Sequence, residues 1–235
     1  FIKIEIYMKK VVQLSSVHHS QDTRIRYKVC QSLQKNGYSI DLIIQNDKDE
    51  IVNGITIKSL PIAKRKIDRI LFILPLIIRK LMGYKRNTIV HFHDPELIPA
   101  GILFKLFGYK VIYDVHEDVP KALLNKKWIS PLISRYIAFL AKTFEQIGSK
   151  YFNAIITVVP SITDRFKKYN PNTIEIRNYP IVKQNERLGT SKYSHIGKYV
   201  TYVGSLTYVR GIPQIVDAME YVKDESIKLL IGGVF

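Results

Sequence analysis

Thr88-Ile-Val-His-Phe-His-Asp-Pro-Glu96 and Lys110-Val-Ile-Tyr-Asp-Val-His-Glu-Asp118 are two compact β-branched runs, each closing on a histidine followed at once by an acid. Residues 97–107, between them, carry the spacing of a helix. Short apolar runs of this kind are buried on both faces of a parallel sheet, and a strand-helix-strand order links parallel neighbours. Working outward, the pattern repeats. On the N-terminal side lie a strand at 11–17, a helix at 23–35 closed by Asn36-Gly37, a strand at 38–45, a shorter strand or two within 51–60, and a helix at 65–82 ending near Gly83. On the C-terminal side come a helix at 133–152, a strand at 154–159 and a helix at 161–169. Such alternation predicts an α/β fold with a doubly wound parallel sheet.

The chain has 235 residues, of which 46% are hydrophobic and 24% charged, so it can bury a sizeable core; disorder, collagen and coiled coil are excluded. Its one cysteine, Cys30, cannot form an internal disulfide, and a reducing, cytoplasmic setting is expected. The formal net charge of +16 calls for an anionic partner. The longest apolar run, 70–78, is interrupted by Pro75 and falls short of the ~20 residues of a membrane span, so no transmembrane helix is expected.

After Asn178-Tyr179-Pro180 the alternation fails, and 181–198 reads as a polar linker. A strand at 199–203, a helix at 211–222 and a strand at 227–231 then open a second α/β domain. The expected organisation is an upstream extension at 1–7 before Met8, a first domain at 8–180, the linker, and the start of a second domain at 199–235. Because the chain opens on Phe1 and stops at Phe235 in what reads as a strand entering a turn, it is expected to be a piece of a longer protein.

In open parallel sheets the ligand crevice lies beyond the carboxyl ends of the strands. The first strand ends in Ser15-Ser16-Val17-His18-His19-Ser20-Gln21-Asp22-Thr23-Arg24, a polar loop entering a helix N-terminus that favours anions. Asp22 reads equally as N-cap or as ligand. The two neighbouring strand ends offer His91, His93, Asp94 and Glu96, and Asp114, His116, Glu117 and Asp118; so many ionisable groups together are costly unless they act on something. His91 and His93 share a strand face, and with Asp94 they would make a metal-dependent hydrolase, although the usual pattern wants a histidine where Pro95 and Glu96 stand. Glycine-rich nucleotide loops, a phosphate loop, a serine-nucleophile elbow and nucleic-acid-binding motifs are absent, which argues against NAD chemistry, nucleoside-triphosphate hydrolysis and nucleic acid as a partner. In the second domain a strand delivers Gly204, and Arg210-Gly211 stands at a helix start, a forked donor beside a glycine that lets backbone approach a phosphate.

His91-Phe-His-Asp-Pro-Glu-Leu97, Tyr113-Asp-Val-His-Glu117, Ala154-Ile-Ile-Thr-Val-Val-Pro-Ser161 and Tyr202-Val-Gly-Ser-Leu-Thr-Tyr-Val-Arg-Gly-Ile212 stand in the order of segments in a known family. From Met8 onward the chain resembles the group 1 glycosyltransferases, family 4, of the two-Rossmann-domain GT-B fold. The resemblance implies transfer of a sugar from a nucleotide-sugar donor to a saccharide or lipid-linked acceptor, with retention, without metal or cofactor, in bacterial cell-surface polysaccharide synthesis. His116 takes the position of the family's active-site histidine. His18, Asp22, Arg24, His93, Asp94 and Glu117 fall to the acceptor side, and Gly204, Arg210 and Gly211 to the donor phosphates. Two departures matter. The family's Gly-Arg-Leu…Lys-Gly reads here Gly204-Ser205-Leu206…Arg210-Gly211, so the first basic donor is missing. The family's pair of donor-binding glutamates would lie beyond Phe235, and the chain alone is expected to be nearly inactive.

Between residues 63 and 87, Lys64, Arg65, Lys66, Arg69, Arg79, Lys80, Lys85 and Arg86 surround the apolar run with Asp68 the only acid. That composition fits an interfacial helix on an anionic membrane surface, peripheral at the inner face of the cytoplasmic membrane, as well as a core helix with solvated ends. A non-catalytic basic module for an anionic polymer or membrane is the remaining alternative.

Overall fold

In the computed structural model residues 9–63, 65–124, 130–181 and 197–234 are described. The expected extension at 1–7, most of the linker at 181–198, Lys64 and Phe235 lie outside them. The chain divides into two compact units, Phe1–Tyr179 and Pro180–Phe235.

In the first unit an eight-stranded sheet runs β3-β4-β2-β1-β5-β6-β7-β8. The strands are β1 (Lys10–His19), β2 (Ser39–Gln45), β3 (Glu50–Val52), β4 (Ile55–Leu60), β5 (Ile89–Phe92), β6 (Lys110–Val115), β7 (Ala154–Thr157) and β8 (Thr173–Glu175). All pair in parallel except β3, which folds back on β4 through a tight turn. That turn is Asn53-Gly54, with φ of 51° and 75°, the sequence and conformation that a two-residue hairpin demands. The chain begins at mid-sheet, winds outward through β2 and β4, then returns to place β5 on the other side of β1. The winding therefore reverses between β1 and β5, where a crevice opens at the carboxyl ends. The doubly wound sheet expected from the sequence is present.

Alternation along each strand loads both faces. Val12, Leu14, Val90, Phe92, Val111 and Tyr113 point to one side. There they meet Ile73, Ile77 and Leu81 of α2 (Lys66–Asp68, Arg69–Ile73 and Leu74–Met82) and Ile98 and Phe104 of α3 (Pro95–Leu97 and Ile98–Leu106). Val11, Ile40, Leu42 and Ile57 point to the other side, against Ile25 and Cys30 of α1, which winds as a π-helix over Thr23–Cys30 and as an α-helix over Gln31–Lys35. Burial pushes the Cys30 thiol up to about 12, so it behaves as a small apolar group. The long helix α5 (Pro131–Tyr151) follows α4 (Val119–Leu124), and α6 (Pro160–Lys167) precedes β8. The sequence reading does not contain α4 or β8; both are too short to show a period. It also ends β1 at residue 17, whereas the strand runs to His19, so only Ser20, Gln21 and Asp22 separate it from α1.

The second unit pairs β9 (Tyr199–Val203) in parallel with β10 (Lys228–Gly232). Between them lie a 3-10 turn at Tyr208–Arg210 and α7 (Ile212–Ala218). Gly211 joins the two at φ 74°, a left-handed conformation that explains glycine there.

Candidate active site

The site is assembled at the carboxyl ends of β1, β5 and β6. The β1–β2 ladder runs to Leu14, breaks, and resumes at His19 with Gln45. Such irregularities commonly re-aim groups beside active sites. Here the break frees backbone to reach Asp94, just past β5: its Oδ2 accepts from Ser16 N–H at 2.6 Å, Val17 N–H at 3.3 Å and the Ser15 hydroxyl at 2.8 Å. His18 Nδ1 lies 3.3 Å from Asp94 Oδ1. Burial alone would raise the Asp94 carboxyl, but the hydrogen bonds from His18, Ser15 and Ser16 outweigh it and hold it low. The same contact with Asp94 raises the His18 imidazole, against the opposing effect of its own burial. Asp94 is therefore an anchoring anion that sets the β1 turn and holds His18 at the cleft.

A second network lies beneath. Arg24, buried on α1, donates through Nη2 to both oxygens of Asp114 at 2.8 and 3.1 Å. The oxygen Asp114 Oδ2 lies 3.7, 3.4 and 3.5 Å from nitrogens of His91, His93 and His116. Burial opposes ionisation of Asp114, yet the surrounding His116, His91 and His93 keep its carboxyl well below the ordinary range. His93 is driven the other way, down to about 4, first by burial, so its imidazole is neutral near pH 7.

Gln13 fixes which nitrogens carry protons. Its amide N–H donates to His91 Nδ1 at 2.9 Å, and its carbonyl accepts from His93 Nε2–H at 2.8 Å. A neutral His93 protonated at Nε2 has only a lone pair at Nδ1, so the 3.1 Å contact there requires His116 Nε2 to be the donor. Arg24 Nε–H points at that same His116 nitrogen from 3.2 Å, and one nitrogen cannot both donate and accept. His116 thus has two arrangements. Protonated at Nε2 it bonds His93 and leaves Nδ1 as an acceptor; protonated at Nδ1 it accepts from Arg24 and becomes a donor through Nδ1.

Above this network lies a cleft of about 240 Å³ lined by Val17, His18, His93, Asp94, Pro95, Tyr113, His116, Glu117 and Val119. Of the residues singled out from the sequence, His18, His93, Asp94, His116 and Glu117 meet there. Asp22 serves as the N-cap of α1, accepting from Ile25 N–H at 2.8 Å, with its other oxygen 4.0 Å from His18. Arg24 stands one layer below, committed to Asp114 and His116. Gly204, Arg210 and Gly211 belong to the second unit, where Arg210 is exposed at the end of the 3-10 turn. A larger groove, about 380 Å³, lies on the α1 side; Val11, Val29, Leu33, Ile89, Ile112 and Ile156 give it apolar walls, and Arg24, His91 and Asp114 of the buried network line it as well.

The hydrolase trio is not assembled as the sequence reading paired it. Asp94 turns to Ser15, Ser16 and His18, while the acid that joins His91 and His93 is Asp114. Those three bring ligand atoms within 4.8 Å of one another, but the Arg24 guanidinium on Asp114 supplies the positive charge that a metal ion would bring. Gln13 is absent from the site as read from the sequence, and Asp114 stands there among the strand-end acids without a role. Their signal was present: each is a polar residue inside an otherwise apolar strand, where only a buried partner makes it tolerable.

A doubly wound sheet with its crevice at the winding reversal and a second α/β unit downstream is the Rossmann-like architecture of GT-B glycosyltransferases. The model of Glycosyltransferase Family 4 matches residues 24–177, more than half of the chain, and the chain belongs to that family. No curated protein matches it in sequence. Among solved structures it resembles the catalytic domain of starch synthase IV from Arabidopsis thaliana bound to ADP and acarbose, with TM-score 0.60, 12% identity, and 96% of this chain covering 68% of that one. It also resembles an alpha,alpha-trehalose-phosphate synthase (UDP-forming) from Burkholderia vietnamiensis, with TM-score 0.61, 13% identity, and coverage of 97% and 65%. A trehalose-6-phosphate structure from E. coli bound with UDP-2-fluoro glucose aligns with TM-score 0.63 at 10% identity, again covering 97% and 65%. The chain thus spans about two thirds of the length of these structures. Among the described residues no helix is long and apolar enough to cross a membrane.

Proposed function

We propose that the protein transfers a sugar from a nucleotide-sugar donor to a saccharide or lipid-linked acceptor, with retention and without a metal or cofactor, in the synthesis of a bacterial cell-surface polysaccharide. The observation that carries this reading is the convergence of His18, Asp94, His116 and Glu117 on one cleft at the winding reversal of a family 4 chain. Two of the similar structures hold ADP and UDP-2-fluoro glucose, which supports a nucleotide-sugar partner. In the transfer, the bond between the sugar's anomeric carbon and the diphosphate oxygen breaks, and a bond to the acceptor oxygen forms on the same face. The acceptor's proton passes to the departing diphosphate. Arg210, with Gly204 and Gly211 admitting backbone to the phosphates, stabilises that charge. His116 hydrogen-bonds the reacting sugar through Nδ1, His18 and Glu117 orient the acceptor, and Arg24 with Asp114 holds His116 in place.

Attachment to the inner face of the cytoplasmic membrane belongs to the same reading, since a lipid-linked acceptor must be met at a bilayer. It is supported by the N-terminal half of α2, which leaves Ile67, Ile70, Leu71 and Phe72 exposed beside Arg65. The helix also buries Ile73, Ile77 and Leu81, and Arg69 is drawn to Glu96 at 3.1 Å, so fewer of its cations are free than the sequence implied. The test of transfer is a product assay with a panel of UDP-, GDP- and ADP-sugars, comparing His116→Ala with its parent in a form of the protein that carries a complete donor-binding unit, since this chain alone is expected to be nearly inactive. A loss of turnover of about 100-fold or more is expected; an unchanged rate would remove His116 from the reaction.

A further inference from the structure

The helix α5 is built inside out. Over its 21 residues it buries Ser134, Ala138, Glu145, Gly148 and Ser149, while Leu132, Ile133, Tyr136, Phe139, Phe144 and Ile147 are exposed. Steps of three, four and five residues keep the exposed set on one side of the helix, so it forms a stripe along about 22 Å of its length. Large apolar side chains normally face the core; here small ones do, and Leu132, Tyr136 and Phe139 keep 77%, 64% and 65% of their surface in the open. Isolated exposed apolar residues are ordinary, but such a stripe marks a surface made to be covered.

The charges around the stripe say what covers it. Arg135, Lys142 and Lys150 are all exposed on α5, and the helix's single acid, Glu145, is buried against Arg165 at 2.6 Å. The exposed side of α5 is therefore purely cationic around an aromatic and aliphatic centre. A soluble protein partner would ordinarily be matched by mixed charges at the rim, whereas this pattern suits a helix lying in the plane of an anionic headgroup layer. We infer that the outer face of α5 is a membrane-docking surface that seats the first unit on an anionic phospholipid bilayer. The inference deepens the membrane attachment proposed above by assigning it to α5, whereas the sequence reading placed it on the helix between residues 63 and 87. With α5 against the bilayer, the aliphatic stems of the three cations run beside the stripe and their heads reach lipid phosphates.

The test is co-sedimentation of the full chain with vesicles of phosphatidylcholine alone or with phosphatidylglycerol, at low and high salt. Strong binding to the anionic vesicles, falling with salt, is expected. Leu132→Ser combined with Tyr136→Ser and Phe139→Ser should weaken partition by tenfold or more, an order-of-magnitude figure from the apolar surface withdrawn. Replacing Arg135, Lys142 and Lys150 by glutamine should remove roughly fivefold per cation and most of the salt dependence. A direct readout needs no loss of binding: Phe139→Cys, labelled with an environment-sensitive dye, should brighten on anionic vesicles, while the same dye at Ile51→Cys, on the β3 edge, should not. Cys30 is buried and takes no label. Wild-type binding that all the α5 variants retain, with a silent dye at 139, overturns the assignment to α5 while leaving membrane attachment in place. No binding by the wild type overturns both, and a dimer that the triple serine variant dissociates, without vesicle binding, assigns the stripe to a second copy of the chain. None of these outcomes depends on the transfer assay, so the failure of one reading is separable from the failure of the other.

Discussion

His93 and Asp114 show how a buried network assigns roles that single residues lack. Gln13 fixes the tautomers of both buried histidines, because its amide presents a donor to His91 and an acceptor to His93 at once, and it thereby leaves His93 Nδ1 as the lone pair that one arrangement of His116 uses. Gln13→Leu should cost about 1–3 kcal/mol through unpaired buried groups. In histidine-labelled nitrogen NMR it should turn a His93 protonated at Nε2 into a mixture of tautomers; an unchanged spectrum would exclude this role. Asp114→Asn leaves the Arg24 charge buried without its counter-ion, and the expected destabilisation is about 3–5 kcal/mol in urea unfolding. Each of these residues was visible in the sequence as a polar interruption. The partners were not, since Gln13 and His91 stand 78 positions apart and meet only through the β1–β5 pairing.

At the scale of elements, the inverted burial of α5 follows from how closely it approaches α3. A Cβ at Gly148 would come within 2.7 Å of Ile98 Cγ2, and one at Gly101 within 2.7 Å of Phe92 and 3.0 Å of Phe152. Helices meeting at small residues have no room for leucine or phenylalanine between them, so those side chains are turned outward. Gly101→Ala should therefore destabilise by about 1–3 kcal/mol through overpacking, although alanine is the better helix former by nearly 1 kcal/mol. The urea midpoint decides the sign: a rise would mean that the packing of α3 on Phe92 and Phe152 is looser than its distances imply. Periodicity located α5 to within two residues at its N-terminus and one at its C-terminus, but its direction of burial could not be read, because an apolar stripe has the same period whichever way it faces.

For the whole molecule, acid is the condition that separates the folded from the unfolded state. In the unfolded chain His93 protonates near its ordinary 6.5, in the folded one only near about 4, so between those values the unfolded state binds more protons. Its contribution is complete above pH 6.5 and is lost as pH falls toward 4, a change of order 3 kcal/mol. Asp94 and Asp114, held below the ordinary carboxylate value, add losses at still lower pH. His18 has the opposite sign, since its raised value gives stability present below 6.5 and lost as pH rises through it. Urea midpoints at pH 7 and 4.5 should thus fall steeply for the wild type, and His93→Gln should flatten the difference. A wild-type midpoint that does not move between these pH values would contradict the buried neutral imidazole.

Apart from α4 and β8, the order of strands and helices, the parallel sheet and the strand ends that line the crevice were legible in the sequence, because hydrophobic period and turn residues act over a few positions and leave a local mark. His18, His93, Asp94, His116 and Glu117 could be placed on one crevice for the same reason: the topology of a doubly wound sheet gathers the carboxyl ends of its strands. Tertiary structure alone decided that Asp22 caps a helix, that Asp114 rather than Asp94 joins the histidines, that Arg24 is spent on holding them, and that the apolar side of α5 faces outward. Those outcomes depend on register and on the distance between packed elements. Neither quantity is encoded in any local stretch of the chain.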